Sequence, residues 1–470
     1  MSYHAGYSAV GKAHYTGKAV TEVRRPPRKR MPDTGGPAAQ EPTSLRGRAN
    51  KARADKRHRF RDLSRCLDAH LLRAGWDDLN KAAASGVDNV TAEEYAADRE
   101  ANIAALAQRL QAQRYRATLV RRCSMPKAHG TERPGGMPAR EDKLVQLACA
   151  KLLTAISEQD VLECSDGYRP GRGALDAVRD LPFDLQYGRY GYLVDAEIQG
   201  FFDHMDHAWR LDMLRVRIDD RAFLQLIRTW LKAGVVETDG QVIHPETGTP
   251  QGGTRSPVLA HGSLHDALDL WFDKVVKAHG RGAARLCRSA DDWVCAFRYQ
   301  DDAERFSRVL PQRLKQCNLQ VAPEKTHLRR CSRVHPSMKR RVTFLGVAFA
   351  WQPERHGVPR VMRRTARTKL QAAWQRLTAW SKHHRHVPER ASCQRLQARV
   401  RGHDNSYGVR ENSRSLPRFC RWAMDWTFTW LNRRGGKQSR YTWEQCARVL
   451  DRVKSARPWI TEVKRRSVFA

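Results

Sequence analysis

The chain has 470 residues and a net charge of +35, from 85 Lys and Arg against 50 Asp and Glu. Its hydrophobic content of 41% is ordinary for a globular protein, and the length allows two or three domains. Because so much like charge repels itself, we expect a polyanionic partner, and nucleic acid is the favoured one. The sequence has no run of roughly 20 apolar residues that could span a bilayer and no secretory signal. We therefore expect a cytoplasmic protein with no membrane partner.

The cysteines support the same location. The 11 cysteines are scattered and include no CxxC pair, so their spacing does not indicate a zinc site. Free cysteines of this kind are typical of a reducing compartment.

The first part of the chain combines a basic arm with helices. Residues 1–60 are rich in Arg, Pro and Gly and poor in large apolar residues, which predicts a disordered arm. Helices dominate from about residue 62, interrupted by a Pro- and Gly-rich segment at 126–138 that predicts a loop. The sequence "EDKLVQLACAKLLTAISEQ" (141–159) predicts a buried helix that begins with acidic residues.

Strands and loops alternate in the middle of the chain. The pattern predicts a strand at 192–202, a Gly-rich loop at 246–257 and a helix at 258–278. Apolar residues at 288–297 predict a hairpin, and "VTFLGVAFAW" (342–351) predicts another strand.

Basic helices rich in Trp follow residue 360, where we expect a domain boundary. Trp422, Trp426 and Trp430 recur at a spacing of four residues. This spacing favours a helix core over a platform for stacking RNA bases, although both uses are open to Trp.

Two adjacent carboxylates, Asp291 and Asp292, lie on the predicted turn of the hairpin. Adjacent carboxylates ionise together readily only when a positive charge lies beside them. A divalent metal would supply that charge, whereas a solvated Asp-rich turn is the alternative. A second pair of acids, Asp195 and Glu197, lies on the strand at 192–202. Acids on two strands, with the Gly-rich loop between them in sequence, are what a two-metal phosphoryl-transfer site requires.

Seven segments in a fixed order resemble those of bacterial group II intron reverse transcriptases, and the resemblance runs from about Trp76 to Arg440. The segments are "MPKAHGTERPGGMPAREDKLVQ", "CSDGYRPGRGALDAV", "EIQGFFDHMDH", "GTPQGGTRSP", "RSADDWV", "LQVAPEKT" and "VTFLG". The sequences "RGHDNSYGVRENSRSL" and "WLNRRGGK" further resemble the maturase, or thumb, domain of that family. No His/Cys cluster typical of an endonuclease follows them.

The resemblance implies an α+β fold, a right-hand polymerase with helical fingers, an antiparallel-sheet palm and an all-helical thumb. After the arm at 1–60, the fingers would cover 61–185, the palm 186–355 and the thumb or maturase domain 356–470.

The resemblance also implies the roles of individual residues. Glu197, Asp291 and Asp292 would be catalytic, with Glu197, Ile198 and Asp291 as the metal-binding positions and Asp292 as a supporting acid. The cofactor would be a pair of Mg²⁺ ions, with Mn²⁺ as a substitute.

Four further residues match positions that bind the nucleotide. Lys127 and Arg133 would grip the triphosphate, Phe202 would stack under the sugar and exclude a 2′-hydroxyl, and Gln251 would line the nucleotide pocket. Arg169 and Arg172 resemble fingers or template contacts, with a solvated surface as the alternative.

Three positions depart from the family pattern. Glu197 replaces an Asp, Ser289 replaces the Tyr before the acid pair, and Gln199 replaces a Lys. Glu is longer than Asp by one carbon, roughly 1.5 Å, and a misplacement of about 1 Å can reduce a rate on the order of 10²-fold. Asp195 faces the same side of its strand but lies one step, roughly 6.6 Å, further back.

The sequence therefore predicts an RNA-directed DNA polymerase that also acts as a maturase in group II intron splicing and mobility. Its partners would be structured group II intron RNA, an RNA template with a DNA primer, deoxynucleoside triphosphates and target DNA. Two alternatives stay open at this point, namely an RNA-binding maturase whose polymerase site has decayed and a host-adapted reverse transcriptase.

Overall fold

The structure is a computed structural model that describes residues 44–126, 132–245, 247–248, 262–334, 336–337, 340–353, 357–384, 386–434, 442–452 and 458–462. Its strands are β1 (Val120–Pro126), β2 (Glu132–Met137), β3 (Tyr192–Glu197), β4 (Val235–Val236), β5 (Val242–Ile243), β6 (Ala284–Ser289), β7 (Asp292–Phe297), β8 (His327–Arg330), β9 (Val342–Phe344), β10 (Val347–Pro353) and β11 (Pro359–Thr365).

The described residues also form α-helices. They are α1 (Leu45–Ala54), α2 (Ala69–Asp78), α3 (Ala92–Ala97), α4 (Arg99–Gln111), α5 (Arg140–Ser157), α6 (Ala174–Tyr187), α7 (His207–Arg215), α8 (Arg221–Leu231), α9 (262–279), α10 (Gln300–Lys315), α11 (Arg367–His383), α12 (Glu389–Tyr407), α13 (Ser415–Arg434) and α14 (Trp443–Arg452). Helix α9 contains π-helical turns at His265–Asp269 and Phe272–Val276.

The palm is a four-stranded antiparallel sheet of order β6-β7-β3-β8. Strand β7 is apolar almost throughout because both faces of the sheet are covered. Trp293, Cys295 and Phe297 pack with α9 and α10, whereas Val294 and Ala296 pack with α6 and β9–β11. This two-sided burial explains why the sequence shows a continuous apolar run rather than alternation.

The fingers combine helices with a second sheet. Helices α1, α2, α4 and α5 share a hydrophobic core with α8, and Asp220 begins α8 by accepting a hydrogen bond from the Phe223 backbone N–H at 2.9 Å. Strands β1 and β2 form a hairpin within a sheet of order β2-β1-β4-β5. The prediction of a loop over 126–138 is therefore wrong for the two hairpin strands, because backbone pairing with a neighbour overrides the Pro and Gly content.

The prediction of a disordered arm does not hold for its last part. Residues 45–54 form α1, which Ser44 caps by accepting from the Gly47 N–H at 3.0 Å. Ala52 is buried against the fingers core, and Arg48 is buried beside Asp62. Residues 1–43 lie outside the described residues.

The thumb consists of helices α11 to α14, which share a core of their own. Trp374 of α11 packs edge-on against Trp426 of α13 at 5.3 Å between ring centroids, and Trp430 is buried. The expectation that these Trp residues serve the helix core is confirmed for Trp426 and Trp430.

The predicted α+β class with an antiparallel palm sheet and a helical thumb is confirmed. Residues 43–470 form one compact unit, so the boundaries near 60, 185 and 355 stay predictions. Within the described ranges, no helix combines the length and the apolar character needed to cross a bilayer.

Candidate active site

Three predicted catalytic acids meet at one end of the palm sheet. Glu197, the last residue of β3, lies directly opposite Asp292, the first residue of β7. Asp291 precedes Asp292 in the two-residue turn Ala290–Asp291 that joins β6 to β7. Opposite residues of an antiparallel pair have Cα atoms roughly 4.5 to 5.5 Å apart. The expected meeting of acids from two distant segments is therefore present in the fold.

The turn that carries Asp291 is tight and is held from one side. Ala290 has a φ of +60°, a left-handed conformation that is uncommon for residues other than Gly. Gly167 lies against this turn, since a Cβ at Gly167 would come within 2.3 Å of the Ala290 backbone nitrogen. The Asp166 N–H also donates to the Arg288 carbonyl at 2.9 Å. The segment "CSDG" thus fixes the outer side of the turn.

Arg169 and Arg172 stabilise that supporting segment. Arg169 makes a bidentate pair with Glu158 and donates to the carbonyls of Leu162 and Ser165. Arg172 donates to Asp166 at 3.2 Å. Arg169 is nearly buried, at 8% side-chain exposure. Burial therefore excludes the solvated-surface alternative for Arg169, whereas its contact with a template stays a prediction.

Burial and like charge both act on the acids of this cluster. Burial, together with the nearby charges of Glu197, Asp291 and Asp195, raises the pKa of Asp292 to about 6, against a hydrogen bond from the Leu345 N–H that lowers it. Burial also raises the pKa of Asp195, while Arg329 and His327 lower it. Burial and mutual repulsion therefore both disfavour the ionised form of Asp292.

Basic residues of the neighbouring chain segment partly offset that repulsion. Lys325 Nζ lies 2.8 Å from Glu197 Oε1, and Arg329 Nε lies 3.3 Å from Asp195 Oδ1. His327 Nδ1 lies 3.5 Å from Asp195 Oδ2. All three groups come from "EKTHLRR", whose last four residues form β8 and pair with β3. The outer acid Asp195 and the edge acid Glu197 therefore each face a cation of the same protein.

The turn Leu345–Gly346 links the acids to the thumb. The Leu345 N–H donates to Asp292 Oδ2 at 3.2 Å, and both turn residues have positive φ, +52° and +77°. A Cβ at Gly346 would lie 2.9 Å from the Tyr407 hydroxyl of α12 and 3.2 Å from the Lys369 Cγ of α11. Gly346 therefore suits this turn because of its positive φ and because it leaves room for the two thumb helices.

A cavity of about 990 Å³ opens over the acids. Asp195, Glu197 and Asp292 form one wall, and Lys325, Arg329, Arg341 and Lys369 contribute cations around it. Acids at one wall with cations around them suit a substrate that carries phosphates, since the cations attract the polyanion.

The chemistry of these acids suits a divalent metal, but their side chains are not arranged as a metal site. Carboxylate oxygens are the ligands that Mg²⁺ prefers. Across the described ranges, however, no three His, Cys, Asp or Glu side chains converge as a metal site. Glu197 contacts Lys325, and Asp292 accepts from the Leu345 N–H. Ile198 could contribute only its carbonyl oxygen, because its side chain is a buried hydrocarbon.

The nucleotide-binding predictions have different outcomes. Lys127 and Gln251 lie outside the described residues, and Arg133 is placed only as a β2 position paired with Met125. Phe202 is buried at 6% exposure, edge-on to Phe201 at 5.3 Å between ring centroids. Its proposed contact with a sugar stays a prediction.

Several site residues escaped the sequence analysis. Gly167, Arg288, Lys325, Arg329 and Leu345 all contact the acids or their turn. The only available signal was their position within the family segments, which gives no indication of what each one touches.

Comparison with known proteins agrees with this geometry. Residues 125–349, which contain the palm strands β3 and β6–β8 and all four acids, match the family model "Reverse transcriptase (RNA-dependent DNA polymerase)". The chain contains a reverse transcriptase domain.

Relatives of this reverse transcriptase domain occur in intron-encoded proteins. The chain is 34% identical over 189 residues to the group II intron-encoded protein LtrA of Lactococcus lactis, covering 40% of this chain and 31% of LtrA. It is 28% identical over 237 residues to protein YkfC of Escherichia coli K12, covering 44% and 62% of the two chains. An uncharacterized 91 kDa protein in the cob intron of Schizosaccharomyces pombe is 34% identical over 168 residues, 36% of this chain and 20% of that protein.

The predicted resemblance to group II intron reverse transcriptases is confirmed by these matches. Because relatives come from bacteria and from a yeast, the comparison does not single out a bacterial group. The matched region spans about a third of LtrA. Reverse transcriptases as a family use divalent metal ions.

Proposed function

We propose that this protein is an RNA-directed DNA polymerase that also binds structured group II intron RNA as a maturase. The observation that carries the proposal is the register of β3 against β7, which sets Glu197 opposite Asp292, the residue that follows Asp291, within a segment that matches the reverse transcriptase family. Its substrates would be deoxynucleoside triphosphates and an RNA template with a DNA primer, and target DNA would be a further partner. The sequence features above favour a nucleic-acid-associated protein of the cytoplasm.

Glu197, the Ile198 carbonyl and Asp291 would hold a pair of Mg²⁺ ions, or Mn²⁺ in their place, with Asp292 as the supporting acid. Bound there, the ions would activate the primer 3′-hydroxyl and stabilise the leaving oxygen. The residues of the chain have separate tasks. The cations that surround the cavity attract the phosphates, the turn Ala290–Asp291 orients the acid at the end of the hairpin, and Leu345 orients Asp292.

Primer extension on an RNA template tests the polymerase. Purified protein with Mg²⁺ or Mn²⁺ should extend a DNA primer, and Asp291→Asn should abolish extension because the direct ligand is lost. Asp301→Asn is a matched control, since Asp301 is an exposed acid in α10 paired with Arg281. Loss of extension in both variants, or in neither, would contradict the assignment.

A second candidate, an RNA-binding maturase with a decayed polymerase site, is favoured by an ion pair and by two departures from the family pattern. Lys325 already neutralises Glu197, and Ser289 and Gln199 depart from the family pattern. This candidate predicts promotion of group II intron splicing with no primer extension in either metal. Extension by the wild type would exclude it.

A further inference from the structure

A fully buried ion pair lies directly behind the acid turn. Arg288 of β6 donates from Nε to Asp269 Oδ1 at 2.7 Å and from Nη2 to Asp269 Oδ2 at 2.5 Å. Neither side chain is exposed to solvent. Asp269 lies in α9 at the end of the π-helical turn His265–Asp269. π-Helical turns are rare and often occur at functional sites.

The same guanidinium reaches the turn itself. Arg288 Nη1 donates to the Ala290 carbonyl oxygen at 3.1 Å. Ala290 has the left-handed φ of +60° and directly precedes Asp291. The backbone of Arg288 is also fixed, because its N–H donates to the Cys164 carbonyl at 2.7 Å and its carbonyl accepts from Asp166. A rigid planar group, held by Asp269, thus holds the carbonyl next to Asp291.

Stability alone is a poor explanation for this pair. Desolvating two charges costs free energy that a buried ion pair often fails to recover, so well-packed apolar residues can replace such pairs at no loss of stability. A buried guanidinium at this position is explained if its third hydrogen bond, to the Ala290 carbonyl, has a function. That bond holds the carbonyl of Ala290, which is in the left-handed conformation.

We propose that Arg288, held by Asp269, is a positioning residue that fixes the turn Ala290–Asp291 and thereby the direction of the Asp291 carboxylate. This inference rests on the proposed polymerase function. Arg288 acts from inside the protein and makes no contact with substrate.

The double substitution Arg288→Met with Asp269→Leu tests this role, because it removes the charges together and fills the space with apolar atoms. We expect the melting temperature to stay within a few degrees, kcat to fall on the order of 10²-fold, and KM for the nucleotide to change little. Hydrogen exchange in peptides spanning 288–293 should become faster. Asp302→Asn is the matched control, since buried Asp302 holds the Arg281 and Gly282 N–H groups at the opposite end of β6.

Unchanged exchange and unchanged kcat in a folded double variant would overturn the proposal and leave the pair a purely structural one. If the double variant does not fold, Arg288→Lys gives the same readouts, because an ammonium keeps the charge near Asp269 but cannot reproduce the planar fork. If the wild type extends no primer, the polymerase proposal fails, whereas hydrogen exchange still decides whether Arg288 fixes the turn.

Discussion

Glu197 ends its strand with one carboxylate oxygen 2.8 Å from Lys325 Nζ. An Asp at this position would be shorter by roughly 1.5 Å, which would place its oxygen beyond 4 Å from an unmoved Lys325. The extra carbon of Glu197 is therefore what allows the ion pair to form. Both side chains are about half exposed, so the pair itself contributes little to stability. The pair instead determines the position of the Glu197 carboxylate.

We expect Glu197→Asp to raise the rate of primer extension by one to two orders of magnitude. The shorter carboxylate would leave Lys325 and remain beside Asp292, where the proposed metal site needs it. Single-turnover extension on an RNA template measures the change.

Glu324→Asp provides the control for this substitution. Glu324 lines the same cavity and precedes Lys325, but it is not opposite an acid of β7. A Glu197→Asp rate equal to or below that of the wild type would show that the longer side chain is suited to this site.

The acids of the site were predictable from the sequence, whereas the contacts that hold them were not. The acids Asp291, Asp292 and Glu197 were identified because their segments resemble a family, and the structure does bring them together. The contacts of Arg288 and Lys325 were not predictable, since each depends on a partner that folding brings near from 19 and 128 residues away. The same sequence positions would also be compatible with exposed cations.

At the scale of elements, the "CSDG" segment and the β6–β7 hairpin are packed without spare room. A Cβ at Gly167 would lie 2.3 Å from the Ala290 nitrogen and 3.0 Å from the Ser289 carbonyl carbon. Backbone atoms cannot rotate away as a flexible side chain can. Gly167→Ala must therefore displace the acid turn.

We expect Gly167→Ala to lower kcat for primer extension at least about tenfold and to destabilise the fold by about 1–3 kcal/mol, the usual cost of overpacking. Gly173→Ala in the same loop is the control, because a Cβ there meets nothing within 4 Å. Steady-state extension and thermal melting measure the two effects. Equal behaviour of the two variants would show that the turn tolerates displacement.

The thumb contains a buried acid whose charge state should govern its stability. Asp404 of α12 is fully buried, and burial raises its pKa to about 6, although the Trp459 N–H opposes this shift. The unfolded chain ionises this carboxyl near pH 4. The contribution that the protonated carboxyl makes to the free energy of unfolding is therefore fully present below about pH 4, and it is lost as pH rises through 6.

Asp404→Asn should remove that loss. We expect the variant to exceed the wild type in stability at pH 8 by on the order of 2–3 kcal/mol, with the difference shrinking toward pH 4. Melting temperatures across this pH range measure it. Asp425→Asn, at an exposed position of α13, should show no such trend, and a pH-independent difference for Asp404→Asn would contradict the assignment.

Predictions of secondary structure from the sequence were wrong where tertiary contacts determine the structure. The β1–β2 hairpin contains Pro134, Gly135 and Gly136, residues that locally favour a loop, yet strand pairing holds them. Helix α1 lies in a segment whose composition predicts disorder, yet Ala52 packs into the fingers core. Neither outcome is visible in local composition, because both depend on surfaces supplied by other parts of the chain.

For the whole molecule, the charge of +35 implies a strong dependence of RNA binding on salt. Lys and Arg contacts displace counterions from the phosphate backbone, so affinity falls steeply as salt rises. We expect the Kd for a 20-base-pair RNA duplex to increase at least about 10²-fold between 50 and 200 mM salt. Fluorescence anisotropy measures it, and a nearly flat response would count against polyanion binding.

The turn Leu345–Gly346 has a mechanical consequence for the whole molecule. One residue of the turn holds an acid of the palm, and the next is in close contact with two helices of the thumb. Rotation of the thumb on binding a duplex would displace this turn and alter the hydrogen bond from the Leu345 N–H to Asp292. Duplex binding by the thumb and catalysis at the palm acids would then be coupled through two consecutive residues.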